Sequence, residues 1–429
     1  MRELMRGRLR WLLVAWMFAI SATAYLDRVN ISIAGPILQK EFGLSNTQLG
    51  WVFSAFVVGY ALFQVPGGRL VDRYGPRRTL LVATIWWAVF TSITAMVPSG
   101  VAGALLILLS VRLALGLGEA VVYPSSNRLV SKWIPTTERG VANGVIFAGV
   151  GIGAGVTPPL VTYILTHYGW HWTFWISAVI GLVVGAVWFW IARDEPQRHP
   201  WVTPEEIRTI EAGLPVAANK LSGPALRWTQ LTRSRSVMAM SLSYFTYGYT
   251  AYIYFTWFFI YLTRVRGMDL KSSAVLGMLP FLAMAIGSPL GGTVSDIITR
   301  RWGRRNGRCV LGAVCMGVSG VFLAFGPLAA SATMATVLLA GGAGALYLSQ
   351  SSFWSVSADI SGPSAGVLSG FMNMGNQIGG AITASLTPIL ANYFGWSFSF
   401  LVAAVLCGTG ALAWLLVDPT KVVGAPAAE

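Results

Sequence analysis

Apolar runs of about 18 to 28 residues, separated by short polar gaps, repeat along the whole chain. A helix rises about 1.5 Å per residue, so about 20 apolar residues cross a hydrocarbon core of about 30 Å. The runs predict about twelve membrane-spanning helices, at 11–36, 46–68, 79–97, 101–128, 139–164, 172–192, 236–263, 271–294, 309–329, 333–358, 366–392 and 396–417. The longest polar stretch, 193–235, follows the sixth run and is read as a central loop. It separates an N-terminal six-helix bundle at 1–192 from a C-terminal one at 236–429. Within the loop, Thr203-Pro204-Glu205-Glu206 has the N-cap, first-turn proline and third-position glutamate of a capping box, which predicts a short helix on the membrane surface. The early Arg residues and the run ending in Ala22-Thr23-Ala24 imitate a signal peptide. The apolar pattern continues past Asp27 towards Gly35-Pro36, so this run is read as a span.

The two halves repeat one another. Gly140-Val141, Gly144, Gly149 and Gly153 recur as Gly366-Val367, Gly370, Gly375 and Gly379, all at an offset of 226 residues. Gly169-Trp170 and Phe174 recur at the same offset as Gly395-Trp396 and Phe400, and Gly68-x-x-x-Asp72 recurs as Gly292-x-x-x-Asp296. Parallel six-helix repeats with a substrate site between them are one transporter architecture. The repeated glycines also read as close helix packing, and small residues at these spacings let helices both approach and slide.

Composition sharpens this. Hydrophobic residues make up 55% of the 429, charged residues 11%, and the mean hydropathy is +0.63, values that exclude a soluble globular domain. The net charge of +14 does not indicate nucleic acid, because the basic residues lie in the short gaps between apolar runs. Lys40, Arg264, Arg266 and Lys271 fall on one side of the membrane, Arg28 and Arg112 lie within spans, and the remaining Lys and Arg fall on the other side. The positive-inside rule makes that side, with both termini and the central loop, cytoplasmic. Cys309, Cys315 and Cys407 all sit in apolar segments and read as small core residues.

Charges inside the spans carry the candidate chemistry. The stretch Arg112 to Asn127 places Arg112 and Glu119 two turns apart on one helical face, with Gly116, Tyr123 and Asn127 continuing the stripe. One ionised side chain at the bilayer centre costs about 2.5–3.5 kcal/mol, so the pair lines something wet or neutralises itself between helices. Asp27 and Arg28 are adjacent, about 100° apart on a helix, and need not pair with each other. Tyr347, Ser351 and Trp354 share a face of the tenth span, as Asn373 and Gln377 do of the eleventh. A guanidinium stays charged and grips a carboxylate in a bidentate fork, whereas Asp and Glu can lose their charge and carry a proton.

Gly68-Arg-Leu-Val-Asp72-Arg73-Tyr-Gly75-Pro-Arg77-Arg78 resembles the loop signature of the major facilitator superfamily, and Gly292 to Arg305 resembles its degenerate second copy. An Asp beside a helix end with an Arg cluster in a short loop can form an ion-pair latch, so Gly68, Asp72, Arg73, Gly75, Arg77, Arg78 and Asp296 are candidate gating residues. Tyr25-Leu-Asp27-Arg28-Val-Asn30, Trp51 to Phe56, Tyr60, Gln64 to Gly68, Arg112 to Glu119, Pro124 to Arg128, Thr256-Trp257 and Trp354 are similar to the anion:cation symporter family. Its bacterial members carry sugar acids such as glucarate, galactonate and hexuronates with protons. The resemblance implies an all-α membrane protein of twelve transmembrane helices in two pseudo-symmetric six-helix bundles, the major facilitator fold. It implies that Asp27 and Glu119 titrate the coupling proton and that Arg28 and Arg112 hold the substrate carboxylate. Tyr60, Gln64, Tyr123, Asn127, Ser351, Trp354 and Asn373 would complete the cavity.

Two positions depart from that family. Val150 stands where sugar-acid members commonly carry Gln, and Phe353 precedes Trp354 where a smaller residue is usual. Both are read as making the pocket less polar, so beside the sugar acid that the resemblance implies, a less hydroxylated dicarboxylate or aromatic carboxylate, or an anion exchanger or exporter, stands as the alternative. No enzyme motif is convincing: Gly149-x-Gly151-x-x-Ala154 imitates a dinucleotide fingerprint but lies in an apolar span with no preceding strand. Thr157-Pro158-Pro159 replaces the Gly-Pro pattern of proton-coupled drug exporters, and the central loop carries no signalling module that would suit a sensor. The expectation is a monomeric importer in a bacterial inner membrane. It takes a small anionic substrate, with protons as the coupling ion and no cofactor, metal or nucleic acid.

Overall fold

The computed structural model describes residues 8–101, 103–214, 226–258, 261–268, 270–362 and 364–423. All regular structure among them is helical. The first half holds α1 (Leu9–Phe42), α2 (Asn46–Tyr74), α3 (Pro76–Met96), α4 (Ala104–Glu119), α5 (Val122–Trp133), α6 (Arg139–Tyr168) and α7 (Trp170–Ile191). Short helices α8 (Pro204–Gly213) and α9 (Trp228–Arg233) follow; the loop stretch 215–225 and residues 259–260 of the seventh expected span lie outside the described residues. The second half holds α10 (Arg235–Thr256), α11 (Leu270–Gly277), α12 (Leu279–Arg304), α13 (Leu311–Phe325), α14 (Ala332–Ile360), α15 (Ala365–Phe394) and α16 (Trp396–Trp414).

Nine stretches of the described residues are long and apolar enough to cross a membrane, and one of them, Val275–Leu328, is 54 residues long and contains both α12 and α13. The long helices outside these stretches are α10 and α15. They bury polar groups instead, among them Ser243, Thr246 and Thr250 on α10 and Asn373 and Gln377 on α15. Counting these two and resolving the long stretch gives the twelve crossings expected. Large apolar side chains point outward, Leu62 at 65% exposure and Leu106 and Leu412 at 67%. In water such a surface would aggregate; in a bilayer it meets lipid tails, while each backbone is satisfied within its own helix.

The fourth expected span, 101–128, is broken rather than continuous. Pro124 has no N–H to donate to the Ala120 carbonyl, so the ladder lapses at Ala120–Val121 and resumes with Ser125 N to Val121 O at 2.9 Å. The break leaves Glu119 at the last turn of α4, next to the weakest point of the rod.

The internal repeat extends to backbone conformation. Gly75 after α2 has φ +80° and Gly303 near the end of α12 has φ +82°; Gly169 and Gly395, before Trp170 and Trp396, have φ +89° and +84°. A side chain in this region is strained, so glycine fixes these four tight reversals. The halves meet along two equivalent seams, α2 against α15 and α12 against α6. A Cβ on Gly68 would overlap the Gly366 carbonyl oxygen, and one on Gly292 would overlap that of Gly140.

The central segment folds back onto the first half. Thr203 accepts from Glu206 N at 3.2 Å, as expected of a cap, but Glu206 does not return the bond. Its carboxylate instead accepts from the Leu9 and Arg10 backbone at 3.3 and 3.1 Å, capping the start of α1. Arg10 also pairs with Glu138, and Arg77 N donates to Asp194. The start of α1, the α2–α3 turn and the central segment thus share one end of the bundle, here called the loop end.

Candidate functional site

Four charges converge where α1, α2, α3 and α4 meet. Glu119 and Asp27 are 0% and 1% exposed and Arg112 is 3% exposed. Arg28 Nε donates to Glu119 Oε1 at 2.9 Å, so the acid pairs with α1 and not with Arg112 on its own helix. The shared face of Arg112 and Glu119 therefore brings them to one site without joining them directly. Asp27 turns the other way and accepts from the Thr91 hydroxyl of α3 at 3.1 Å, a partner that sequence reasoning did not find. The Asp27 and Glu119 charges both act on Arg112.

Aromatic rings box the guanidinium groups. Arg28 lies 4.9, 5.1 and 4.4 Å from the ring centres of Tyr25, Phe56 and Tyr60, and Arg112 lies 4.9 Å from Phe56. Rings hold a cation through their quadrupoles while leaving its N–H groups free for a ligand. Among the described residues, buried Asp27 Oδ1, Arg28 Nη2, Arg112 Nε, Glu119 Oε2 and Tyr60 OH have no hydrogen-bond partner. Leaving such groups unpaired costs about 1–3 kcal/mol each, more when charged. A cluster left this incomplete is suited to a ligand or a proton.

One turn towards the loop end, the halves touch. Asn373 Nδ2 of α15 donates to Gln64 Oε1 of α2 at 3.1 Å. Tyr123 bonds Ser21 at 3.0 Å, stacks on Phe147 at 4.9 Å, and meets Trp354 of the second half at 5.6 Å. Trp354 Nε1 donates to Tyr244 OH at 2.9 Å. Nearer the loop end, Asn127 Nδ2 donates to the Ser357 hydroxyl and the Ala365 carbonyl, both at 3.2 Å. Gln64, Tyr123, Asn127, Trp354 and Asn373 therefore form a floor joining the halves beneath the charges. Ser351 is not part of it: its hydroxyl donates to the Ser288 carbonyl of α12 at 3.2 Å, inside the second half. Phe353 also differs from expectation. Its ring lies 4.6 Å from both Tyr244 and Trp414 in the interior of the second half, because its neighbour Trp354 already occupies the face towards α5 and α6. Val150 is buried in the cluster that holds Tyr123 and Phe147.

At the loop end two matching clasps close the seams. Asp72 of α2 accepts from Gly366 N and Val367 N of α15, both at 2.9 Å. Asp296 of α12 accepts from Gly140 N and Val141 N of α6 at 2.9 and 2.7 Å. Each carboxylate caps the N-terminus of a helix in the opposite half, where unpaired N–H groups and the helix dipole favour an anion. Arg128 approaches Asp72 at 3.7 Å and Arg308 approaches Asp296 at 2.7 Å. Those two ion pairs each lie within one half; the pair Arg139 with Asp359 crosses between the halves and was not foreseen. The expected Arg cluster of the α2–α3 loop is not the clasp. Arg77 binds the Phe189 carbonyl at 2.9 Å within its own half, a Cβ on Gly75 would meet the Asp194 carboxylate, and Arg73 and Arg78 are exposed. Along α2, then, Tyr60, Gln64, Gly68 and Asp72 descend one turn at a time from the charges to the clasp.

The model of the Major Facilitator Superfamily matches residues 17–384 and 301–429. The probable sulfoacetate transporter of Cupriavidus necator is 35% identical over 427 residues, covering 98% of this chain and 96% of that protein. The hexuronate transporter of Bacillus subtilis is 31% identical over 420 residues, covering 96% of each chain. The proton:xylose symporter XylE, solved with 6-bromo-6-deoxy-D-glucose, superimposes with a TM-score of 0.77 at 15% identity over 96% of each chain, a likeness of fold. The chain belongs to the Major Facilitator Superfamily, and is an all-helical membrane transporter, not an enzyme.

Proposed function

We propose that this chain imports a small organic acid together with protons by alternating access. The observation that carries the reading is the set of two arginines and two carboxylic acids, partly buried Arg28 with buried Arg112, Asp27 and Glu119, with hydrogen-bonding capacity left over. As charged groups the four sum to zero. Protonating Glu119 removes the partner of Arg28 and frees its fork for an anion; protonating Asp27 does the same for the field at Arg112. Two protons leave two positive charges, which a dianion neutralises, and one proton suits a monoanion. Proton stoichiometry then follows substrate charge, so a full cycle moves no net charge and the proton concentration gradient, not the membrane potential, drives accumulation.

The seams and clasps suit two rocking bodies, residues 1–192 and 236–429, closed here at the loop end. The positive-inside rule makes that end, with both termini, cytoplasmic in a bacterial inner membrane, so the closed state faces outward. Proton and acid enter from outside, neutralisation lets the bundles rock, and opening of the clasps releases both inside.

Relatives named for hexuronate, galactarate/D-glucarate and D-galactonate favour a sugar acid. A shorter, less hydroxylated dianion is the second reading, favoured by buried Val150 and by the relative named for sulfoacetate. The test is uptake into proteoliposomes under an inward proton gradient, with D-glucuronate, D-galactonate, D-glucarate, sulfoacetate and neutral D-xylose. Acids should accumulate and xylose should not; Arg112→Ala should abolish binding, and Glu119→Gln should exchange substrate without concentrating it. Concentration by Glu119→Gln would remove the proton role of that residue. Uptake of xylose with no acid would overturn the anion reading.

A further inference from the structure

We propose that Tyr252 of α10 and Gln377 of α15 are the second half's share of the substrate site and select the end of the substrate remote from its anionic group. This rests on the anion reading above.

The two halves approach each other beside the charges through Tyr25 and Phe255, whose rings are 5.8 Å apart. Tyr25 is three residues before Arg28 on α1, and Phe255 three after Tyr252 on α10, so each pair shares a helical face. Arg28 lies 4.9 Å from the Tyr25 ring and the Tyr252 ring lies 5.9 Å from Phe255, so contacting side chains lead from the charges to Tyr252. The Tyr252 hydroxyl donates to Gln377 Oε1 at 2.7 Å, and its ring lies against Gly380 so closely that a Cβ there would overlap it. Gln377 is one turn from Asn373, whose amide already joins the halves through Gln64.

A phenol and a primary amide both donate and accept but supply no charge. The anionic group therefore goes to the arginines, and Tyr252 with Gln377 can exchange their mutual bond for bonds to a hydroxyl or second acid group at the far end. A site built to bond such a group rejects an analogue that lacks it, because its own polar atoms are then left unpaired.

The experiment measures ligand affinity by calorimetry on the purified full chain, for wild type, Tyr252→Phe and Gln377→Met. The probes are D-galactonate against 6-deoxy-D-galactonate, and sulfoacetate against ethanesulfonate. Wild type should favour the intact acid of at least one pair by about tenfold, and both variants should lose that preference while binding the truncated analogue as before. Variants that keep the preference, or that weaken both members of a pair equally, overturn the assignment while leaving the anion reading intact. Absence of binding to every acid by the wild type overturns the anion reading itself.

Discussion

Removing the Asp72 carboxylate should open the loop end by a calculable amount. In the closed state Asp72 takes two charge-assisted hydrogen bonds, from Gly366 N and Val367 N, both at 2.9 Å, and has Arg128 at 3.7 Å. Bonds to charged groups contribute about 1.5–3 kcal/mol each, so the gross loss in Asp72→Ala is about 3–6 kcal/mol. Water can reach the loop end and satisfy the freed N–H groups in part, which leaves about 2–3 kcal/mol. A shift of about 2.8 kcal/mol is a factor of about 100, enough to take a protein resting at 99:1 closed to about even. Asp296→Ala should act alike, because Asp296 caps α6 in the equivalent way at 2.9 and 2.7 Å. Spin labels at exposed Arg73 and Arg301, one on each half at this end, report the separation by pulsed electron resonance. The expected result is a second, longer distance in each single variant, dominant in the double. If the distance distribution of the double variant matches the wild type, the carboxylate caps do not hold the halves together and the clasp argument fails.

Phe353→Leu should lower thermal stability by about 1–2 kcal/mol, as its ring is fully buried against Tyr244 and Trp414, without changing the order in which acids are bound; altered selectivity would mean that the ring reaches substrate after all. His199, in the central segment, donates from Nε2 to the Ile191 carbonyl at 2.8 Å and accepts at Nδ1 from Trp201 N at 3.1 Å, which fixes a neutral ring. Burial pushes its pKa below the ordinary 6.5, with Arg193 and Arg77 adding to the shift and the Ile191 bond and Glu206 opposing it. The unfolded state then binds the proton more readily, so this contribution is present above pH 6.5 and is lost as pH falls through the lower folded value. Melting temperature should fall on acidification more steeply in the wild type than in His199→Asn; parallel curves would remove His199 from the cause.

Much of the site was legible because burial of charge in a membrane is costly enough to stand out. Asp27, Arg28, Arg112 and Glu119 appear as charges inside apolar runs, and the structure brings all four together. Their pairing was not legible. Helical periodicity gave the correct shared face of Arg112 and Glu119, but the partner of Glu119 is Arg28 at 2.9 Å, chosen by how α1 lies against α4. Trp354 and Phe353 show the same limit one residue apart. Both are apolar at adjacent positions, and only the packing of α14 decides that Trp354 meets Tyr123 while Phe353 meets Trp414. The loop motif pointed to Asp72, which meets Gly366 N and Val367 N of the opposite half, and to arginines that stay within their own half, because an Arg-rich loop looks alike whether its cations bridge halves or fasten one half to itself.

The sequence by itself determined the all-helical membrane class, the succession of apolar spans and the glycine-marked internal repeat. These depend on the length and periodicity of apolar runs and on backbone conformations that only glycine accepts without strain. Tertiary structure alone decided which charge answers which, and that the Asp72 and Asp296 carboxylates meet backbone N–H groups of the opposite half. Those outcomes depend on the separation and rotation of neighbouring helix axes. A single chain's pattern fixes directions around its own axis and contains no term for the axis beside it.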